Sequence, residues 1–326
     1  VWVKRDVDHS LLGARQAILS YLELSNPEYL NHAIQLTEEV QGTLEVIGVT
    51  GASMLVEECL QTLKGMAAGT LRHPEDAAQP VIKALLQLPD YLEFVQKHGM
   101  DIPVILVPIL NDLRAGRDEA LVSEHLMSLG ILNSEREQKN LASYKPSGED
   151  AQKLARSLRH IFQLGLLGWY RDQAIGDSLL KMAAVCKRLK ESAGNIPARR
   201  LWWLSMGFAE ALHGRFLDTS PAIKNLMGRI DRQIRLLVEK GEEEFSQEIP
   251  EDLIRNLLFY VAAARPGCAT VNHIKSLYFP DGALPASSLM STAQLSVSGN
   301  NSLLFESVSS ALSEDISSLK DVFKVH

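Results

Sequence analysis

The chain has 326 residues, a length typical of about two domains, and 46% of them are apolar, enough for a core in each. Its 33 Lys and Arg against 40 Asp and Glu give a net charge of −7, which argues against nucleic acid or an anionic membrane as the main partner. Three separated cysteines, Cys59, Cys186 and Cys268, form no Cys-x-x-Cys pair, so we expect a reducing, cytoplasmic location. No apolar run is long enough for a bilayer span, and we expect no membrane insertion.

Apolar residues recur at every third or fourth position almost throughout, which predicts an all-α protein built from amphipathic helices. The first part predicts four antiparallel helices with short loops: one ending near residues 25–26, then Pro27–Ile47, Ala52–Ala68 and one from Pro74 to about His98. The predicted buried stripe of the second helix consists of Ala33, Leu36, Val40, Leu44 and Ile47.

A connector and a second bundle are predicted beyond residue 101. Pro103 opens a short helix that Pro108 should kink, and the polar stretch 133–149 predicts the boundary between two modules, 1–132 and 149–326. Composition then predicts a flexible loop over 280–301 and an amphipathic C-terminal helix over 303–325. The helices predicted between are Glu149–Asp172, Ala174–Ser192, Ile196–His213, Ser220–Lys240 and Pro250–Ala264.

The second helix contains a pattern that resembles the active helix of histidine phosphotransfer (HPt) domains, His-x-x-Lys-Gly with a second Gly six residues on. Gly42 and Gly48 match the glycines, while Glu38 stands in the place of the phosphorylated histidine and Gln41 in that of the lysine. Residues 38, 41, 42 and 45 share one helix face, so Glu45 belongs to the same surface. The pattern is that of an HPt module without its two chemical residues.

The substitution at Glu38 predicts a module that cannot carry a phosphoryl group. A neutral imidazole accepts phosphate readily, whereas a carboxylate would form a high-energy acyl phosphate and would need a metal and cations. The neighbouring Glu39 and Glu45 cannot supply them. We therefore expect no catalytic residue and no cofactor, and we interpret the face as a possible partner-binding surface that favours Lys or Arg on the partner.

His160 offers an alternative phosphoacceptor, because Gly165 follows it by five residues in a predicted helix. That spacing is one residue longer than the HPt pattern, and a histidine on a solvated helix face is the simpler interpretation. The sequence contains no Gly-x-Ser-x-Gly, no phosphate-binding Gly-rich loop and no His-Glu-x-x-His. The run Glu242 to Glu244 points in several directions at a helix end, so no metal site is predicted.

A wider resemblance covers nearly the whole chain. It resembles the amino-terminal region of the chemotaxis-type hybrid histidine kinases of type IV pilus systems, the ChpA/PilL family, and the related FimL-type scaffolds, which have no kinase core. The stretches that carry the resemblance include Val40–Leu44, Leu86–Leu92, Pro108–Ala115, Ile230–Gln233 and Asn256–Ala262.

The resemblance implies a non-catalytic docking region of a two-component, twitching-motility chemosensory system. Its implied partners are a response regulator or polar scaffold proteins, in the cytoplasm with the cell pole as one location. The chain begins with Val, so we expect it to be part of a longer protein, with a kinase core beyond residue 326 if the parent is a histidine kinase. An active phosphotransfer protein and a free-standing FimL-like scaffold stay open as alternatives.

Overall fold

The computed structural model describes residues 2–123, 132, 134–143 and 145–279. Within these ranges the secondary structure is helical and no strand occurs, so the all-α prediction is confirmed. The predicted loop 280–301 and helix 303–325 lie outside the described residues. None of the helices in the described ranges combines the length and the hydropathy that a membrane span requires.

Contacts divide the chain into two units between Ile109 and Leu110. The predicted domain limits, 1–132 and 149–326, stay predictions. The helices up to the division are α1 (Trp2–Leu24), α2 (Pro27–Ile47), α3 (Thr50–Ala67), α4 (Pro74–His98), a 3-10 helix (Pro103–Leu106) and α5 (Val107–Ala115), which continues across it. The others are α6 (Glu135–Ala142), α7 (Ala151–Tyr170), α8 (Ile175–Ser192), α9 (Ile196–His213), α10 (Pro221–Lys240), α11 (Glu242–Gln247), α12 (Glu251–Ala263) and α13 (Ala269–Tyr278).

In the first unit, α1 to α4 form an up-down bundle, because each consecutive pair is in contact and α1 also contacts α4. The start of α2 is defined by Asn26, whose side chain accepts a hydrogen bond from the backbone N–H of Glu28 at 3.0 Å, and by Pro27 in the first turn. Its end is defined by Gly48, whose positive φ of 72° favours glycine. These two signals place α2 where the sequence predicts it.

The buried stripe of α2 keeps three of the five predicted residues and has Leu30 and Thr37 in place of the other two. Its members are Leu30, Ala33, Thr37, Val40 and Leu44, whereas Leu36 is half-buried and Ile47 is exposed. Thr37 can be buried because its hydroxyl donates to the Ala33 carbonyl at 2.7 Å, which satisfies the polar group inside the helix. Ile47 lies in the last turn, beyond the part of α2 that the bundle covers.

Asp101 caps α3 from outside the helix. Val49, the residue before the first turn, has no capping side chain, and the Asp101 carboxylate instead accepts from the backbone N–H of Gly51 at 3.0 Å and from the Tyr91 hydroxyl. Burial, and then the adjacent carboxylate, raise the pKa of the Tyr91 phenol, so it stays protonated and donates. A Cβ at Gly51 would lie 2.5 Å from the Tyr91 oxygen, which explains the glycine.

The second unit is organised around α9, which contacts α6, α8, α11, α12 and α13. Trp202 and Trp203 are both buried there: the first stacks on Phe245 of α11, and the second lies against His273 and Tyr278 of α13. A helix that is covered on nearly every side needs apolar residues around its whole circumference, and α9 has them. The second unit is therefore a cluster around a central helix.

Residues of α5 from Leu110 onward anchor this second unit. The buried Asn111 amide donates to Ser123 at 2.8 Å and to the Tyr260 hydroxyl at 3.1 Å, and Asp112 accepts from the backbone N–H of Ala222 at 3.2 Å, at the start of α10. Pro108 lies in the first turn of α5, directly after the 3-10 helix gives way to the α-helix, so the predicted short helix consists of two segments of different type that meet beside this proline.

We predict that D101A destabilises the protein by about 2 kcal/mol, because it removes the cap of α3 and the acceptor of a buried tyrosine hydroxyl. E23A, which truncates an exposed side chain on α1, is the control and should change stability by less than about 0.5 kcal/mol. Urea unfolding followed by circular dichroism measures both. Equal stability of the two variants would contradict the remote cap.

Candidate functional site

The predicted HPt-like face lies on the outward side of α2. Glu38, Gly42 and Glu45 are exposed and Gln41 is half-buried, opposite the stripe that faces the bundle. The structure therefore brings these four residues together on one surface, as the helical spacing predicts. Gly48 is exposed as well, but its backbone ends α2, so the end of the helix explains this glycine without any partner.

Glu38 forms an ion pair that the sequence did not reveal. Its carboxylate lies 2.7 Å from the Nζ atom of Lys64 on α3, and both side chains are about half exposed, at 50% and 55%. The pair neutralises the charge at the centre of the face, and it engages Lys64, the cation that lies beside Glu38. A surface pair of this kind contributes roughly 0–1 kcal/mol to stability, so its main effect is on the chemistry of the face.

Gly42 leaves an open surface beside this pair. A Cβ placed on Gly42 would meet no atom within 4 Å, so no packing among the residues that the structure describes explains the missing side chain. Val46, one turn further along α2, is 88% exposed, and Ile47 is also exposed. A bare stretch of helix backbone next to a fully accessible apolar side chain is a surface on which another protein can pack closely.

His160 is exposed on α7, as the solvated-face interpretation predicts. The glycine that follows it by five residues has a different role from Gly42. A Cβ on Gly165 would lie 2.9 Å from the Ser178 carbonyl oxygen and 3.0 Å from Met182, because α7 and α8 approach each other closely there. Gly165 is thus required by packing within the second unit and does not open a surface beside His160. His160 as a phosphoacceptor stays an untested alternative.

The acidic run at residues 242–244 has a structural role at its first member. One carboxylate oxygen of Glu242 accepts from the backbone N–H of Gly194 at 2.6 Å and from the Asn195 side-chain amide at 3.2 Å, at the start of α9. Over the part of the chain that the structure describes, no group of three or more His, Cys, Asp or Glu side chains could hold a metal ion.

Comparison with known proteins adds the family context. The family model for the FimL scaffold protein second domain matches residues 147–291. Over 313 residues the chain is 26% identical to the scaffold protein FimL of Pseudomonas aeruginosa, in an alignment that covers 95% of this chain. The chain is homologous to FimL. It spans about half the length of that relative, 54%, and no solved structure matches it.

We predict opposite effects on stability for the same substitution at two glycines. G42A should stabilise the chain by up to about 1 kcal/mol, because alanine favours a helix and the position is open. G165A should destabilise it by about 1–3 kcal/mol, because the added methyl group meets backbone on α8. Urea unfolding of both variants provides the comparison, and a destabilising G42A would show that this glycine serves the fold.

Proposed function

We propose that the chain is a non-catalytic scaffold region of a type IV pilus chemosensory system, and that it works by docking other proteins. The homology to a protein named as a scaffold supports this role, and so does the absence of any recognisable catalytic motif in the sequence. The first unit is a degenerate phosphotransfer module on this proposal. Its location is the cytoplasm, with the cell pole as one site of assembly.

The observation that carries the proposal is the surface around Gly42. An HPt domain needs a nucleophilic histidine and an open surface on which its partner can pack. On α2 the surface at Gly42 is open, but the histidine is absent. Glu38 cannot replace the histidine, because its carboxylate is a poor phosphoryl acceptor and its charge is taken up by Lys64. A surface that stays open after the loss of its chemistry is explained by binding.

The same surface defines the partner that fits. At the centre of the face, the charges of Glu38 and Lys64 cancel. A basic group on the partner would therefore be attracted mainly by Glu45, which is exposed one turn beyond Gly42. Val46 supplies apolar contact beside it. A response regulator of the pilus system, or a scaffold protein at the pole, would meet this face with an apolar patch edged by Lys or Arg.

Two readings of the whole protein fit the same docking role. In one, the chain is the amino-terminal region of a hybrid histidine kinase of the ChpA/PilL type, whose kinase core and phosphorelay modules are encoded further along. In the other, it belongs to a free-standing FimL-like scaffold. Sequencing the gene beyond the codon for His326 distinguishes them, since only the kinase would have an ATP-binding domain there.

We predict that G42Q weakens binding of the pilus system's response-regulator receiver domain at least tenfold, because the added side chain blocks close approach while the helix stays intact. E45R should weaken binding most at low salt, where an attractive charge counts most. Titration calorimetry with the purified chain gives both affinities.

The matched control is G176Q on α8, a helical glycine where a Cβ would meet only His213 at 4.0 Å. It should leave the affinity for the receiver unchanged. If G42Q and E45R both bind as tightly as the unaltered chain, the α2 face is not the docking surface and the proposal fails at that point.

A further inference from the structure

A second accessible surface runs along α7, in the other unit. The outer stripe of α7, which we define as Arg156, His160, Ile161, Leu164 and Leu167 on the helix and Arg171 directly after its last residue, is exposed from end to end. The helix packs on α8 and α10 through its opposite side, where Ala155, Phe162, Gly165 and Trp169 are buried. Large apolar side chains therefore face outward on a helix whose opposite side packs against α8 and α10.

The spacing within the stripe is that of a helix-binding surface. His160, Leu164, Leu167 and Arg171 follow one another at intervals of four, three and four residues, so they form one straight row. From residue 156 to 171 the row is about 22 Å long at 1.5 Å per residue, enough for about four turns of a partner helix. Side chains in such a row interdigitate with those of a second helix packed alongside.

Charge limits what that helix can be. The chain carries a net charge of −7, yet α7 contains no Asp or Glu among its twenty residues and has Lys153, Arg156 and Arg159 in its first half. Asp150, before the first turn, lies 3.8 Å from Lys153, and Asp231 of α10 lies 3.7 Å from Arg159 on the packed side. Arg156 and Arg171 are exposed at the two ends of the apolar segment, and two exposed positive charges there favour a negatively charged ligand.

We propose that the outer stripe of α7 binds an amphipathic helix of a partner protein, with Leu or Ile along one side and Asp or Glu along its edges. The apolar residues at the centre of the stripe, Ile161, Leu164 and Leu167, would be covered by the partner's apolar side. Arg156 and Arg171 would pair with its acidic edges. This goes beyond the proposed function of the α2 face, because it concerns another unit and another class of contact.

Two synthetic 21-residue peptides test the proposal. The Glu peptide has Leu at three- and four-residue spacing and Glu at most other positions, and the Lys peptide carries Lys in place of each Glu. The full chain should bind the Glu peptide at least tenfold more tightly than the Lys peptide by fluorescence anisotropy. L164E should reduce that binding at least tenfold, and R156E should reduce both the affinity and its dependence on salt.

The chain provides a closely matched control in Leu180 on α8, which is exposed to the same extent as Leu164, 54%, but lies outside the stripe. L180E should bind the Glu peptide as the unaltered chain does. Equal binding of both peptides, an equal loss in L180E, or no binding of the Glu peptide would overturn the proposal. Binding of the chain to phosphatidylglycerol vesicles, or self-association, would also overturn it if L164E abolished either one.

This test and that of the α2 face are separable. L164E changes the second unit alone and should leave the receiver affinity unchanged, while G42Q should leave the affinity for the Glu peptide unchanged. Loss of one activity with retention of the other identifies which of the two surfaces has been misassigned.

Discussion

Our proposal for the first unit depends on the ion pair between Glu38 and Lys64. Glu38 is an acid at the position where a phosphotransfer helix needs an imidazole. Its ion pair engages Lys64, a cation that could otherwise stabilise phosphoryl oxygens. The pair contributes little to folding because both partners are half exposed, so stability alone does not explain it. On our proposal this face keeps the shape and the accessibility of a phosphotransfer surface without its chemistry, and those two properties support a docking role.

Glycine serves opposite purposes in the two units, and the contrast supports the assignment. Gly165 is buried, and its missing side chain lets α7 and α8 approach each other, so the fold itself requires it. Within the described residues a Cβ at Gly42 would meet no atom, although glycine costs a helix interior up to about 1 kcal/mol. We therefore propose that Gly42, which has no packing reason among the described residues, lies in a partner-binding surface, whereas Gly165 serves the fold.

The sequence predicted most of the helices because their ends carry strong local signals, such as Asn26 with Pro27 at the start of α2 and Gly48 at its end. It did not predict α6, α11 or α13, which are short and depend on contacts with α9 rather than on their own periodicity. Spacing along α2 placed the four face residues on one surface, since helical geometry is local. It could not reveal Lys64 or Asp101, because a partner on another helix is determined by tertiary packing.

The most direct measurement is phosphoryl transfer from a receiver domain carrying a radioactive aspartyl phosphate to the purified chain and to its E38H variant. The unaltered chain should acquire no acid-labile label, because the face proposed to meet the receiver has Glu38, paired with Lys64, in place of a histidine. E38H should acquire it, because the imidazole would stand beside the open surface at Gly42. Label on the unaltered chain would contradict the account, and an unlabelled E38H would contradict the claim that the receiver-binding shape persists.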